Sequence, residues 1–275
     1  MGTSEEKRFV RRQVLTFLFG LAALLPAWSG AAPTDACRHL VVSGNPEYPP
    51  YLWRDPDDET RLIGANADLV QMAAKELGIT ADVKYVGNWA RVQEETRLGR
   101  VDMIAGAFFT LPRLDYMDYL YPAFRETRTV IWTRKDAGFG YAKWKDLVGL
   151  QGVTVIDNSF GEEFDRYAKA SLKITTVPSL KQALEMLDLG RVQYLIYEED
   201  PGLAYAARMN IAGVKTMPVA VTNENLYLTL SHKSACNTGE LRGQLSQLMY
   251  KYAKQNVMKD LVDANIQRWR KSAKP

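Results

Sequence analysis

Arg113 and Glu198 are the charged side chains whose settings most suggest chemistry. Arg113 follows Thr110-Leu-Pro, a pattern that predicts a helix opened by Thr110 with Pro112 in its first turn. A cation is misplaced there, because a helix start already carries about half a positive charge and free N–H groups. The misfit disappears when an anion sits between the helix start and the guanidinium, whose planar fork matches a carboxylate. The plainer alternative is an arginine bent away to a surface acid. Glu198 lies in the run Tyr194-Leu-Ile-Tyr-Glu-Glu199, where a carboxylate would complement an ammonium. One phrase leads into both places: Leu98-Gly-Arg-Val-Asp102 and Leu189-Gly-Arg-Val-Gln193, each behind a helical pattern and ahead of an apolar strand. Two α/β lobes presenting opposite charges at their strand ends would suit a zwitterion held between them, since ligands of open α/β sheets lie beyond the carboxyl ends of strands. An arginine held by ligand rather than by protein predicts that Arg113→Ala abolishes binding yet barely moves the melting temperature of the empty protein.

The elements that must position these groups follow from period and punctuation. Strands are predicted at 40–43, 79–86, 101–107, 127–133, 152–156 and 226–230. Residues 44–51 contain three prolines, which exclude helix and central strand and predict a rigid loop. Residues 54–60 form an exposed turn. Asn66 is placed as the cap of a helix over 67–77 closed by Gly78. Further helices are predicted at 90–98, 180–189, 202–209 and 240–264, with a helical turn at 144–147. Ser159-Phe-Gly-Glu162 has the form of a capping box, which places unpaired N–H groups beside Asp157 and Asn158. Strands alternating with helices predict parallel-type α/β layers. No low-complexity linker separates two lobes, so they are expected to share strand crossings near 125–128 and 218–225.

A chain of 275 residues has room for one or two domains with real cores. Residues 1–31 are read as a signal peptide: Lys7, Arg8, Arg11 and Arg12 precede an apolar stretch over 14–27, and Ser29-Gly30-Ala31 offers a small-residue cleavage site. Arg11-Arg12 also fits a twin-arginine signal; general secretion is favoured. The whole chain has a formal charge of +3, and loss of the signal peptide's four basic and two acidic residues brings it to about +1. That balance gives no reason to expect a nucleic-acid partner. Cys37 and Cys236, alone in an exported chain, are expected to form one disulfide joining the N-terminal edge to the C-terminal region. Two cysteines and the distant His39 and His232 match no metal-ligand spacing, so neither metal nor cofactor is expected.

Taken in order, several motifs resemble the family 3 periplasmic solute-binding proteins, the polar-amino-acid receptors of ABC importers. They are Gly44 with Tyr48-Pro-Pro-Tyr51, Gly64-Ala-Asn-Ala-Asp-Leu69, Trp89 with Gly99-Arg-Val-Asp102, and Ala105-Gly106 with Thr110-Leu-Pro-Arg113. The segment 119–124 and then Gly190-Arg-Val with Glu198 complete the series, which spans almost the whole mature chain. The resemblance implies a type II two-lobed α/β fold with two hinge crossings: lobe 1 from 32–125 and 223–275, lobe 2 from 126–222. It implies that Arg113 clamps a ligand carboxylate, Glu198 meets the amino group, Tyr48 forms an aromatic wall, and the amides at Ser159 and Phe160 help hold the carboxylate. Asn45, Asn66, Trp89, Gly106 and Phe108 complete the expected lining. Asn45 and Asn66 stand where some members carry acids, and Phe108 where many carry Ser or Thr. These departures argue against a strongly cationic ligand side chain and make the cleft unusually aromatic.

The function implied is non-catalytic: a periplasmic monomer that captures an amino-acid-like zwitterion and delivers it to the membrane permease of an ABC importer. One alternative is an enzyme on the same scaffold, similar to cyclohexadienyl dehydratases, with Glu198 or Glu199 as general acid if burial raises its pKa toward neutrality. Another is a sensor that passes ligand-induced closure to a membrane receptor.

Overall fold

The computed structural model describes residues 37–272; the signal-peptide reading of 1–31 falls outside them. The fold is built on a nine-stranded sheet with three further strands beside it. In chain order the elements are β1 (His39–Ser43), β2 (Glu47–Tyr48), β3 (Leu52–Arg54), β4 (Leu62–Ile63), α1 (Ala65–Leu77), β5 (Thr80–Val83), α2 (Trp89–Arg97) and β6 (Met103–Phe108). Then follow β7 (Met117–Tyr119), β8 (Arg125–Arg134), β9 (Gln151–Val155), α3 (Glu162–Ser171), β10 (Lys173–Val177), α4 (Leu180–Asp188), β11 (Tyr194–Glu198), α5 (Glu199–Arg208), β12 (Val214–Ser231), α6 (Gly239–Lys254) and α7 (Val257–Ser272).

The large sheet runs β10-β9-β11-β8-β12-β6-β1-β5, with β7 also on β12. Its outer parts are parallel: β1 with β5 and β6, and β9 with β10 and β11. The middle is antiparallel, because β8 carries the chain from one end of the molecule to the other and β12 brings it back. The predicted crossings therefore lie side by side as a ladder in which Thr127 pairs with Glu224 and Arg128 with Asn223. This is the two-lobed type II arrangement, with two long strands common to both lobes. β12 has 18 residues, uniting the strand expected at 226–230 with the crossing expected near 218–225 and starting earlier, at Val214.

The repeated Leu-Gly-Arg-Val phrase has one structural job in both copies. Leu98 and Leu189 end α2 and α4, and Gly99 and Gly190 follow with φ of 78° and 67°. The Gly99 N–H donates to Thr96 O and the Arg100 N–H to Glu95 O; Gly190 and Arg191 donate in the same way to Leu187 and Met186. This double closure satisfies the last carbonyls of each helix and sends the chain into β6 or β11.

Three predicted helix starts are corrected. α1 begins at Ala65 with Gly64 as its cap, and Asn66 lies inside the first turn rather than capping it. Gly64 sits so close to Tyr51 that an added Cβ would lie 2.4 Å from the Tyr51 carbonyl oxygen, so only glycine fits. α3 begins at Glu162 behind Gly161, not at a Ser159 capping box. Asp165 takes that role from within the helix: its carboxylate accepts from the Ser159 hydroxyl and, at 2.9 Å, from the Phe160 N–H. The helix predicted from Thr110 is only a 3-10 turn, Leu111–Asp115, after which the chain must extend to join β12 through β7. A single turn lacks the macrodipole on which the misplaced-cation argument depended. Two extents also differ. The 240–264 helix is broken at Asn256 (φ 54°) into α6 and α7, and the loop 44–51 contains β2, which pairs with β3.

Candidate functional site

A cavity lies where the carboxyl ends of β1, β6, β9 and β11 converge. Around it are Asn45 beyond β1, Tyr48 of β2, Asn66 in the first turn of α1 and Trp89 at the start of α2. Gly106 and Phe108 at the end of β6, Arg113, Asn158 beyond β9, Glu198 ending β11, and Leu52 and Leu226 complete most of the wall. The cavity volume is about 20 Å³, room for little more than a water molecule. Eight of the ten side chains expected to bind ligand share this one cavity. Ser159 and Phe160 do not line it. Asp165 takes the Ser159 hydroxyl and the Phe160 N–H, and the Phe160 ring packs on Phe164 at 6.0 Å within a separate apolar cluster.

Arg113 is buried, 5% exposed, and is held by the protein itself. Nη1 donates to the Phe108 carbonyl at 2.9 Å and Nε to Gln93 Oε1 at 3.3 Å, while the guanidinium carbon lies 5.3 Å from the Trp89 ring centroid. Asn88 caps α2 by accepting from the Arg91 N–H at 3.0 Å, which fixes where Trp89 is presented. From that position Trp89 Nε1 and Gln93 Nε2 both donate to the Asp157 carbonyl at 3.1 Å, joining α2 to the loop after β9. Asn45 Nδ2 donates to the Tyr197 hydroxyl at 3.1 Å, and that hydroxyl donates to Glu47 O at 3.3 Å. These bonds draw the walls of the cavity together.

Asn66 Nδ2 donates to Ala105 O at 2.7 Å, so its Oδ1 is left over. Gly106 permits that approach: its φ is 116°, and a Cβ there would stand 2.7 Å from Asn66 Nδ2. Four buried polar atoms of the lining, Tyr48 Oη, Asn66 Oδ1, Asn158 Nδ2 and Glu198 Oε2, make no well-formed hydrogen bond, although Asn158 faces Glu198 and Thr127 faces Tyr48 closely enough to favour their charged forms. Burial pushes the Glu198 carboxyl up to about 7, against the opposing pull of its own backbone N–H, nearby Asn158 and the Arg113 charge. Burial likewise raises the Tyr48 hydroxyl far above its ordinary value, with the Glu198 charge adding to the effect. The remaining lining was only partly legible in the sequence. Gln93, which lies behind the lining and holds Arg113, stands one helical turn from Trp89 on the same face of α2, a spacing that could have identified it. Leu52 and Leu226 carry no signal that separates them from core.

Among the described residues no group of three or more His, Cys, Asp or Glu is placed to hold a metal ion. His39 and His232 are exposed and lie 3.5 Å from Asp82 and Asp118 respectively.

Fold and site together define a two-lobed α/β protein with a narrow cavity at its strand ends, lined by both polar and apolar side chains. The model of the bacterial extracellular solute-binding proteins, family 3, matches residues 40–274, and the chain belongs to that family. No curated protein matches the sequence. Among solved structures, a mutant of ArgBP from T. maritima is 18% identical with a TM-score of 0.69, over 85% of this chain and 96% of that one. A histidine kinase sensor domain with similarity to periplasmic binding proteins is 22% identical with a TM-score of 0.71, over 86% and 97%. The amino acid ABC transporter substrate-binding protein AbpA from Streptococcus pneumoniae, bound to L-arginine, is 16% identical with a TM-score of 0.70, over 86% and 97%. At these identities the likeness is one of fold.

Proposed function

We propose that this protein is a periplasmic receptor that closes on a small amino-acid-like zwitterion and delivers it, as a monomer, to the permease of an ABC importer. The observation that carries the reading is the set of four polar atoms around the cavity without a well-formed hydrogen bond, Tyr48 Oη and Asn66 Oδ1 from one lobe and Asn158 Nδ2 and Glu198 Oε2 from the other. Buried polar groups are almost always hydrogen-bonded, so a ligand or water must complete them. Glu198 Oε2 and Asn66 Oδ1 call for donors, as an ammonium provides. Asn158 Nδ2 calls for an acceptor, and among the described residues Arg113 supplies the only positive charge on the lining. Lobe 1 comprises 32–125 and 223–275 and lobe 2 comprises 126–222, with closure about the paired segments of β8 and β12. The Trp89 and Gln93 bonds to Asp157 would then be closed-state contacts between lobes. At about 20 Å³ the cavity holds water and no amino acid, so a ligand enters only as the lobes part. Titration calorimetry against the free amino acids and their N-acetyl and amide derivatives tests this: a zwitterion should bind at least tenfold more tightly than either blocked form. Equal affinity of the blocked forms would contradict it.

One observation favours a second reading, a dehydratase-type enzyme on this scaffold: a buried carboxyl near pKa 7 has the proton affinity of a general acid. Incubation with prephenate or arogenate separates the two, since product formation that Glu198→Gln removes would establish catalysis. The sensor alternative rests on the fold shared with a histidine kinase sensor domain and differs in partner, not in ligand site.

A further inference from the structure

Between helices α5 and α7 lies a groove of about 570 Å³, larger than the space in the cleft and separate from it. Leu203, Ala204, Ala207, Val262, Ile266 and Trp269 form its apolar surface. Leu203 is half exposed although nothing polar is attached to it. Four cations and two carboxylates line the rest. Both carboxylates are already engaged: Asp200 accepts from the Tyr51 hydroxyl at 2.6 Å and lies 3.7 Å from Arg125, and Asp263 pairs with Lys259 at 2.7 Å.

Arg208 and Arg270 are left without a carboxylate partner among the described residues. The Arg208 guanidinium lies over the Trp269 ring, 3.1 Å from its centroid, and Nη2 donates to Trp269 O at 3.0 Å and Ser272 Oγ at 2.8 Å. All three partners are neutral, Nε has no acceptor at all, and burial lowers the side chain's pKa. A partly buried charge with only neutral partners is unfavourable, and a nearby anion relieves it. The volume is that of a pocket for a small organic molecule.

We propose that the α5–α7 groove is a second binding site, for a small amphipathic anion whose carboxylate or sulfonate meets Arg208 and Arg270 and whose apolar body lies along Leu203, Ala207, Ile266 and Trp269. The proposal does not rest on the zwitterion reading of the cleft. Calorimetric titration of the intact protein with octanoate, octanol and octyltrimethylammonium tests it. Octanoate should bind one saturable site in the millimolar range or better, and the neutral and cationic chains should bind at least tenfold more weakly. Arg208→Gln risks loosening α7, so the variants are Arg270→Gln and Ala207→Glu, both at exposed positions. Each should weaken octanoate at least tenfold with an unaltered melting temperature. Absence of saturable octanoate binding, equal binding of octanol, or undiminished affinity in both variants would overturn the proposal. So would loss of octanoate binding in Glu198→Gln alone, which would place the anion in the cleft.

Discussion

Burial raises the Glu198 carboxyl to about 7, so below that pH an arriving ammonium displaces its proton. The sign follows from linkage. The folded pKa is raised from the ordinary 4.5, so the empty protein holds this proton more tightly than the unfolded chain does. Its favourable contribution is present below about pH 4.5 and is lost as pH rises through about 7. Glu224 also titrates near 7, raised by burial and then by the Asp165 charge, so the difference between wild type and Glu198→Gln is the quantity to read. Melting curves across that window should fall more steeply with pH in the wild type. Binding should show the opposite trend: affinity for a zwitterion should drop on acidification below about 7, approaching tenfold per unit, because only the ionised carboxylate pairs with an ammonium. Calorimetry in buffers of different ionisation heat should detect the released proton, and a pH-independent affinity would refute the pairing. Arg113 behaves differently from its sequence-based expectation. Its bonds to Phe108 and Gln93 mean that Arg113→Ala should lower the melting temperature of the empty protein, by about 1–3 kcal/mol of stability, as well as abolish binding. Denaturant titration without ligand checks this.

At the scale of elements, what was legible was what depends on local pattern. Gly78, Gly99 and Gly190 mark helix ends correctly because a left-handed residue after a helix is a local requirement. The Leu-Gly-Arg-Val repeat leads into β6 and β11 at the same spacing, and these strands end at Phe108 and Glu198. Helix starts were less legible, since they depend on partners far away in sequence: Gly64 is set by Tyr51, and the Ser159 segment by Asp165. The Arg113 turn was misread because its length is set by pairing of β7 with β12. The tie between α5 and α7 had no sequence signature. Trp269 packs edge-on to Trp53 at 5.5 Å, tilted against Tyr205 at 5.5 Å, and donates from Nε1 to Ala204 O at 3.3 Å. Trp269→Ala should therefore cost about 3–5 kcal/mol in denaturant unfolding. A loss below about 1 kcal/mol would mean that α7 is dispensable to the fold.

For the molecule as a whole, Cys37 and Cys236 form the expected disulfide across a sequence separation of 199 residues, fastening β1 to the segment after β12. Its removal by the double Cys→Ser variant should cost about 2–4 kcal/mol, read from unfolding with and without reductant. An oxidised pair accords with export, and N-terminal sequencing of the exported protein should begin at Ala32 if residues 1–31 are a cleaved signal. The large-scale architecture was legible only through the order of motifs. The antiparallel middle of the sheet was not, because nothing local in 125–134 or 214–231 says that the two strands meet. The two shared strands and the cavity between the lobes make the central claim one about capture: a zwitterion held between Arg113 and Glu198. Mass spectrometry of the small molecules released on denaturing the protein, purified from its native host, tests that claim most directly. The account predicts a compound bearing both an amine and a carboxylate, retained by the wild type and absent from Glu198→Gln. A retained compound lacking either group, or one held equally by the variant, would contradict it.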